Sequence, residues 1–347
     1  MRDAPQTPEP LFDQQQCAIL IEKVGRIRQE ISKVIVGQQA VIDQLLMAVF
    51  ARGHCLMQGV PGLAKTLMVS TLSRVLHLSF KRIQFTPDLM PGDITGTDII
   101  EERPDGSRHF AFVEGPIFAN MILADEINRT PPKTQAALLE VMQEKQVTIA
   151  GFSHRVPLPF LVMATQNPIE TEGTYPLPEA QVDRFMMKVL VGYPREEEEF
   201  VIVQRMIGQP IEITPVMDTV QLAAMQAQCR QGYVDPGIIQ YAVRLVCATR
   251  EPQRFGLPQL ASALTFGASP RATIWLIEGA RALAFLRGRS YVVPQDVTDL
   301  VPDVLRHRLV LSYDALSEGL TADAIIMQVL KAVAAPDRPL ESHVRVA

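Results

Sequence analysis

The most constraining feature of the chain is a glycine-rich segment between a short apolar run and an amphipathic stretch. The apolar run is 55–57, the segment is Gly59-Val-Pro-Gly-Leu-Ala-Lys65-Thr66, and the amphipathic stretch is 67–78. This order predicts a strand, a loop and a helix. The backbone N–H groups of such a loop, together with the helix N-terminus, bind phosphate groups. The segment therefore predicts a nucleotide-binding α/β domain.

Individual residues of this loop have expected roles. Lys65 is placed to reach the β- and γ-phosphates, and the Thr66 hydroxyl is placed to ligate Mg²⁺. Ala64 stands where the usual pattern has glycine. Because a residue that enters a right-handed helix does not need a positive φ, we expect this alanine to be tolerated. The residues expected to bind the nucleotide here are Gly59, Val60, Pro61, Gly62, Leu63, Ala64, Lys65, Thr66 and Leu67.

A second segment, the apolar run 121–124 followed by Asp125 and Glu126, predicts a buried strand that ends in two carboxylates. Asp125 is expected to hold Mg²⁺, directly or through water, and Glu126 to polarise the attacking water as general base. A flexible strand–helix turn is the alternative for the glycine-rich segment alone. The Lys-Thr pair and the acidic strand end disfavour that alternative. Together the two segments predict a site for nucleoside triphosphate hydrolysis.

The composition sets further limits. The 347 residues suffice for one large or two ordinary domains, and 47% hydrophobic with 20% charged residues is typical of globular proteins. A net charge of −5 provides no general attraction for nucleic acid. No apolar stretch has the length of a membrane span, and the start lacks a secretory pattern. The four cysteines lack Cys-x-x-Cys spacing, which favours a reduced, cytoplasmic setting without zinc.

The order of patterns along the chain predicts two domains. Strand and helix signals alternate up to about residue 208, which favours a parallel sheet covered on both faces. Two hairpins interrupt this order, one with a turn at Arg103-Pro-Asp-Gly-Ser and one over 147–156. Beyond residue 208 the strand signals stop and helical periodicity continues, which predicts a helical bundle. We expect loose tails at 1–10 and 336–347, a nucleotide-binding domain at 11–208 and a helical lid domain at 209–335.

Seven motifs are distributed over nearly the whole length of the chain. They are Gly-Val-Pro-Gly-Leu-Ala-Lys-Thr at 59–66, Gln-Phe-Thr-Pro-Asp-Leu-Met-Pro-Gly-Asp-Ile-Thr-Gly at 84–96, Glu-Gly-Pro-Ile-Phe at 114–118, Ala-Asp-Glu-Ile-Asn-Arg-Thr-Pro-Pro-Lys-Thr-Gln at 124–135, Ala-Thr-Gln-Asn-Pro at 164–168, Glu-Ala-Gln-Val-Asp-Arg-Phe at 179–185 and Ser-Pro-Arg at 269–271. In these motifs the chain resembles MoxR-type AAA+ ATPases over nearly its whole length, and Ala64 is itself similar to that family's form of the loop. The resemblance implies an AAA+ core with a parallel sheet between helices, a small all-α lid, and hydrolysis of ATP to ADP and phosphate with Mg²⁺.

The resemblance also implies roles in hydrolysis for residues outside the two segments. Asn167 resembles the sensor that orients the attacking water; the alternative is an asparagine that caps the turn before Pro168. Arg184 resembles the arginine finger that is supplied to a neighbouring subunit's nucleotide, and we expect it to point outward. Arg129 is the other candidate for that role. The alternative interpretation of Arg184 is a surface ion pair with Asp183 or a neighbouring residue.

Two more assignments come from the resemblance. Arg271 resembles the second sensor, which couples the nucleotide state to the angle of the lid; a helix-surface arginine is the alternative. Val36 and Gly37, followed by Gln38, resemble the loop that lies along the adenine. Both assignments stay expectations that depend on the family match.

The family implies a homo-oligomeric ring, expected to be a hexamer, that remodels or matures a protein client. Metal insertion into the client is one form that this maturation takes. Its members typically work with partners that carry a von Willebrand factor A domain, here supplied in trans. Two other functions stay open: a nucleic-acid motor of the helicase branch and a chelatase-like motor subunit. The acidic balance and the few cations of the second hairpin, Lys145, His154 and Arg155, disfavour the nucleic-acid motor.

Overall fold

The computed structural model describes residues 14–102, 107–169, 173–209 and 211–336. The chain divides into two compact units. Residues 27–223 form the first, which we call the α/β unit, and 14–26 with 224–336 belong to the second, the helical unit. Outside the described residues lie the N-terminal tail, the C-terminal tail from residue 337 and most of the first hairpin's turn. Pro210, next to the expected domain boundary at 208/209, also lies outside them. The predicted domain limits therefore stay predictions.

The α/β unit is built on a five-stranded parallel sheet with the order β2-β5-β8-β1-β9. The strands of this unit are β1 Cys55–Gln58, β2 Phe80–Gln84, β3 Gly96–Glu102, β4 Arg108–Glu114, β5 Met121–Asp125, β6 Gln146–Ile149, β7 Phe152–Arg155, β8 Leu161–Gln166 and β9 Met187–Leu190. All residues of β5, which lies between β2 and β8, are buried, and this requires packing on both faces of the sheet. The predicted parallel sheet is confirmed, and β9 is an edge strand that the sequence patterns did not indicate.

Helices supply that cover. Those that begin before residue 224 are α1 Gln14–Val34, α2 Gln39–Phe50, α3 Lys65–Val75, α4 Pro91–Thr95, α5 Pro132–Glu144, α6 Glu179–Val182, α7 Glu196–Met206 and α8 Thr219–Gln231. Leu138, Leu139 and Met142 of α5 belong to one core cluster with Ile122 of β5 and Val162 of β8. Apolar residues three and four apart on α5 thus bury one stripe against the sheet.

The parallel arrangement brings the predicted site segments to one edge of the sheet. Strands β1, β5 and β8 are neighbours in register, with Leu56 and Ala124 both opposite Ala164. The loop 59–66 follows β1, the acidic pair ends β5, and Asn167 follows β8. Because parallel strands end at a common edge, three segments distant in sequence meet there.

Both predicted hairpins are present. Strands β3 and β4 pair antiparallel from Gly96 opposite Glu114 to Glu102 opposite Arg108, and β6 pairs antiparallel with β7. The short helix α4 lies just before the first hairpin, where no helix was predicted. A helix of five residues is too short for its periodicity to show in the sequence.

The helical unit corrects one expectation. Besides α9 Pro236–Arg250, α10 Pro270–Leu286, α11 Pro294–Leu305, α12 Tyr313–Ser317 and α13 Ala322–Ala332, it contains the strands β10 Leu264–Phe266 and β11 Val310–Leu311. These strands pair antiparallel, so the inference that strands stop after residue 208 was wrong. Strands of three and two residues are too short for an alternating pattern to reveal. None of the helices in the described part of the chain has the length and apolar character that a bilayer span requires.

Candidate functional site

The glycine-rich loop connects β1 to α3, and its glycines are required by geometry. Gly62 has a φ of +86°, a backbone angle that residues other than glycine rarely adopt. At Gly59 a Cβ atom would lie 2.6 Å from the carbonyl oxygen of Val191, so only glycine fits. The loop ends at the N-terminus of α3, which begins at Lys65. Loop and helix end together form the arrangement that binds phosphate groups.

Ala64 corrects the expectation for this loop. We expected a right-handed backbone at this position, but Ala64 has φ 55° and ψ 24°, in the left-handed region. The reason is that Ala64 is the residue that precedes the helix, where the chain still has to turn, and not the first helical residue. A left-handed conformation costs an L-residue with a Cβ roughly 1–2 kcal/mol. The alanine is thus accommodated at the expense of local strain.

Ala64→Gly is therefore expected to stabilise the nucleotide-free protein by about 1 kcal/mol, because glycine adopts the left-handed region without that penalty. The check is the melting temperature of both proteins. Ala223→Gly is the matched control, since Ala223 is exposed within α8 and glycine there should lower the stability by about 1 kcal/mol. Equal destabilisation by the two substitutions would show that residue 64 carries no strain.

Lys65 is held at the loop by its own main chain. Its Nζ donates hydrogen bonds to the carbonyl oxygens of Gly59, at 2.5 Å, and Val60, at 2.8 Å. Burial lowers the pKa of Lys65, and the negative charges of Asp125 and Glu126 oppose that shift. The lysine and the acidic pair, predicted from separate segments, are thus close enough to interact electrostatically.

Asp125 is buried and fixed by two neighbouring strands. Its Oδ2 accepts hydrogen bonds from Nε and Nη2 of Arg82, at 2.9 and 2.7 Å, and its Oδ1 accepts one from Thr165 Oγ1, at 2.6 Å. Arg82 lies on β2 and Thr165 on β8, on either side of β5. The sequence analysis missed both partners, because the pairing of strands cannot be read from the chain order.

Glu126 is oriented in the same way. Its Oε2 accepts one hydrogen bond from Gln84 Nε2 at 3.1 Å. The same oxygen forms an ion pair with Arg129 Nε, also at 3.1 Å. Its backbone N–H donates to Thr165 Oγ1 at 2.8 Å, and its φ of 57° turns the chain out of the strand. Alternate residues of β2, Arg82 and Gln84, thus support the two carboxylates in turn. The spacing of two residues between Arg82 and Gln84 was the only feature of the sequence that indicated this shared role.

A magnesium ion would suit this donor set. Mg²⁺ is usually held by one or two carboxylates, water and substrate phosphates, and not by a cage made of protein alone. The described residues contain no group of three or more His, Cys, Asp or Glu side chains arranged to hold a metal. Asp125 offers an ordered carboxylate, and the Thr66 hydroxyl lies in the first turn of α3. These residues fit an ion that arrives with a nucleotide.

Asn167 lies directly after β8 and is buried. Its Oδ1 accepts a hydrogen bond from the backbone N–H of Ile169 at 3.2 Å. This is the turn-capping contact that the alternative interpretation of the sequence indicated. The contact fixes the side chain at the sheet edge where the loop and the acidic pair lie. The sensor role itself stays a prediction.

Arg184 does not point outward as expected. Its Nη1 donates to the carbonyl oxygen of Leu139 in α5 at 2.8 Å, and its buried Nε has no partner. The side chain lies in a polar groove with Glu140 and Gln181. Arg129, the rival candidate, is the residue paired with Glu126 of the same chain. The contribution of either arginine to a neighbouring subunit stays a prediction.

Arg271 belongs to the helical unit and is exposed in the first turn of α10. Ser269 caps this helix, because its Oγ accepts a hydrogen bond from the Arg271 backbone N–H at 3.2 Å. The cap fixes the start of the helix and hence the origin of the arginine side chain. Its sensor role stays a prediction.

A cavity of about 380 Å³ adjoins the loop within the α/β unit. Val36 lines it together with Gly62, Leu63, Ala64 and Leu67, so the two predicted nucleotide-binding segments share one cavity. Gly37 has a φ of +65°, in the left-handed region that favours glycine. The size and the largely apolar walls of the cavity suit a planar base.

Helix α7 forms one wall of this cavity, a role that no pattern in the sequence indicated. Ile202 and Arg205 of α7 line the cavity. Arg205 Nη1 also donates to the carbonyl oxygens of Ser32 and Lys33 at the end of α1, at 2.7 and 2.6 Å. Gln38 Nε2 donates to the Gly192 carbonyl oxygen at 2.8 Å. These bonds join residues more than 150 positions apart, so no local pattern could reveal them.

Comparisons with known proteins agree with this geometry. A family model described as "ATPase family associated with various cellular activities (AAA)" matches residues 54–187, and one described as "AAA lid domain" matches residues 260–329. The chain is 50% identical to Chaperone MoxR1 of Mycobacterium tuberculosis over 307 residues, which cover 88% of this chain and 81% of that relative.

Two further comparisons extend the likeness to almost the whole chain. Protein MoxR of Methylorubrum extorquens is 31% identical, with 91% of this chain and 96% of that relative covered. A crystal structure of a protein from Cytophaga hutchinsonii superimposes with a TM-score of 0.87 at 43% identity and covers 93% of this chain and 98% of its own. The similarity therefore includes both units.

Proposed function

Because the chain belongs to the MoxR family of AAA+ ATPases, we propose that it hydrolyses ATP and uses the free energy to remodel or mature a partner protein. The observation that carries this proposal is the meeting of three segments at one sheet edge. Lys65 of the loop lies within electrostatic reach of Asp125 and Glu126. A phosphate-binding loop beside an ordered acidic pair is the machinery that phosphoanhydride hydrolysis requires.

Nucleotide binding would use the cavity and the loop together. The apolar cavity takes the base, and the loop with the N-terminus of α3 takes the phosphates. Lys65 would exchange its bonds to the Gly59 and Val60 carbonyl oxygens for phosphate oxygens, which are stronger acceptors. Arg205 and Gln38 would keep the cavity in shape, because Arg205 bonds to the end of α1 just before Val36, and Gln38, just after Val36, bonds to Gly192.

Hydrolysis requires a base that accepts a proton from water. Glu126 has this role in the proposal, and its contacts with Gln84 and Arg129 fix the carboxylate in position before the reaction. Thr66 and Asp125 would hold Mg²⁺, which neutralises negative charge on the phosphates when bound. Asn167 would orient the water, and Arg82 with Thr165 keeps Asp125 in place. Preorganised groups of this kind lower the barrier without rearrangement during the step.

The finer parts of the proposal concern assembly and partners. We propose a homo-oligomeric ring, expected to be a hexamer, in which Arg184 or Arg129 acts on a neighbouring nucleotide and Arg271 reports its state to the lid. The client would be a protein, and a protein with a von Willebrand factor A domain is the favoured partner. Metal insertion would be one outcome, and the setting would be the cytoplasm. The name of the relative Chaperone MoxR1 supports a protein client.

The nucleic-acid motor finds less support than the composition alone suggested. Of the three cations expected to meet phosphates, Lys145 is half-buried. Its Nζ donates to the Met142 carbonyl oxygen at 2.6 Å and contacts His54 Nε2 at 2.9 Å. Burial lowers the pKa of Lys145 to about 8, so this lysine begins to lose its charge just above neutral pH. His154 stacks on Phe112. Arg155 is therefore the one of the three that remains exposed.

The experiment that tests the function is affinity capture by Glu126→Gln protein with ATP, compared with ADP, after nuclease treatment. We expect a protein client to be retained in the ATP state alone, because a motor performs work only if its affinity for the client differs between states. Glu179→Gln is the matched control, since it removes a carboxylate from the short helix α6. ATP-dependent retention of DNA or RNA without a protein would favour the nucleic-acid motor.

A further inference from the structure

The first hairpin exposes a pair of large apolar side chains. Ile100 of β3 is directly opposite Phe110 of β4, so both side chains lie on the same face of the hairpin. Their exposed fractions are 62% and 75%. Apolar side chains of this size that adjoin one another in solvent are typical of a binding surface. Side chains that are this exposed contribute little to the folding of the hairpin, so we look for their role in binding.

An aromatic stack connects this face to the second hairpin. Phe112 lies two residues from Phe110 on β4 and hence on the same face. Its ring stacks on His154 of β7, with centroids 3.9 Å apart and an interplanar angle of 27°. Phe152 lies two residues from His154, on the same face of the second hairpin, and is 72% exposed. We call these residues the hairpin surface: Ile100, Phe110, Phe112, Phe152 and His154.

The charges on this face of the first hairpin are mostly negative. Asp98 and Glu102 alternate with Ile100 on β3, and Glu114 follows Phe112 on β4 with the same spacing of two. Arg108 is opposite Glu102, with Nε 3.9 Å from a carboxylate oxygen. Three carboxylates therefore face one guanidinium among these described positions. Such a surface repels phosphate groups and attracts lysine and arginine side chains.

We propose that the hairpin surface binds an extended segment of the protein client in which large apolar side chains are flanked by lysine or arginine. The inference rests on the proposed function, since it assigns the chemistry of the client that the ATPase acts on. Phe110 and Phe152 supply rigid aromatic contacts, and the acidic residues select the charge of the segment. The Phe112–His154 stack makes both hairpins part of one contact.

The test uses a fluorescein-labelled peptide of alternating leucine and lysine, with fluorescence anisotropy as the readout. The unaltered protein should bind this peptide, and Phe110→Ala should weaken the binding at least about tenfold, as truncation of a central aromatic contact does. Ile100→Thr, which keeps a β-branched side chain in the strand, should weaken it in the same direction. Leu158→Ala is the matched control, because Leu158 is 70% exposed outside both hairpins.

Peptides of alternating leucine and glutamate, and of alternating serine and lysine, separate the apolar from the charge requirement, and both should bind less than the first. Unchanged binding after Phe110→Ala and Ile100→Thr would overturn the proposal. So would an oligothymidylate whose binding depends on Phe110, which would indicate a nucleic-acid surface. ATP turnover of the unaltered protein is measured in parallel. Its absence would contradict the proposed function, while the peptide result decides the surface independently.

Discussion

Lys65→Ala protein is expected to lose tight ATP binding and, with it, turnover. The Lys65 amine lies within the loop and bonds to two of its carbonyl oxygens, so it is positioned to meet negative charge that is present before and during the reaction. A hydrogen bond between charged groups contributes about 1.5–3 kcal/mol, so two lost contacts should reduce the affinity by at least about 100-fold. The measurement is a titration of a fluorescent ATP analogue.

Lys133→Ala is the control for this substitution, because Lys133 is an exposed lysine in the first turn of α5. It should leave the affinity unchanged. If Lys65→Ala protein bound ATP as tightly as the control, the assignment of the phosphate-binding loop would be wrong. A melting curve of each variant without nucleotide establishes that both proteins are folded.

The second large effect is expected for Arg184→Ala. An arginine supplied to the transferring phosphoryl group accelerates hydrolysis about 10³–10⁵-fold, because it neutralises charge that develops in the transition state. In the described α/β unit, Arg184 instead donates to the Leu139 carbonyl oxygen of its own chain. To act on a neighbour's nucleotide, it must exchange this neutral acceptor for a charged one, which is favourable. Phosphate release per subunit is the measurement, with the exposed Arg230→Ala as control.

The same prediction extends to mixtures. Arg184→Ala protomers keep the phosphate-binding Lys65, and Lys65→Ala protomers keep Arg184. Mixed rings therefore contain sites in which one protomer binds ATP and its neighbour supplies the arginine, and these rings should recover part of the turnover. Turnover per subunit of the unaltered protein should also rise with protein concentration as rings assemble. No recovery in rings that demonstrably contain both variants would count against a finger supplied in trans. A loss for Arg129→Ala without a loss for Arg184→Ala would transfer the role to Arg129.

Much of the site could be predicted because its signals are local. The loop 59–66 and the pair Asp125-Glu126 are each contiguous, and each lies at the end of an apolar run that is long enough to indicate a strand. Alternation of strands and helices then requires a parallel sheet, whose strands end at one edge. The first hairpin was likewise predictable from a local signal, the turn sequence Arg103-Pro-Asp-Gly-Ser.

The remainder depended on contacts between distant residues. Arg82 and Thr165 support Asp125 through the strand order, which the sequence does not contain. Arg205 reaches the end of α1 from 172 and 173 positions away. The left-handed backbone of Ala64 was wrongly excluded, because residue type predicts the preferred conformation and not the one that a loop imposes. The direction of the Arg184 side chain was likewise fixed by packing against α5.

We propose that this sheet edge hydrolyses ATP with Glu126 as the base. The most direct measurement compares phosphate release by the unaltered protein with that by Glu126→Gln protein, while the nucleotide retained by each is quantified in the same samples. We predict that Glu126→Gln protein retains ATP but releases phosphate about 10²–10⁴-fold more slowly, because a base acts only in the chemical step. Turnover of Glu126→Gln protein at the parent rate would contradict the account.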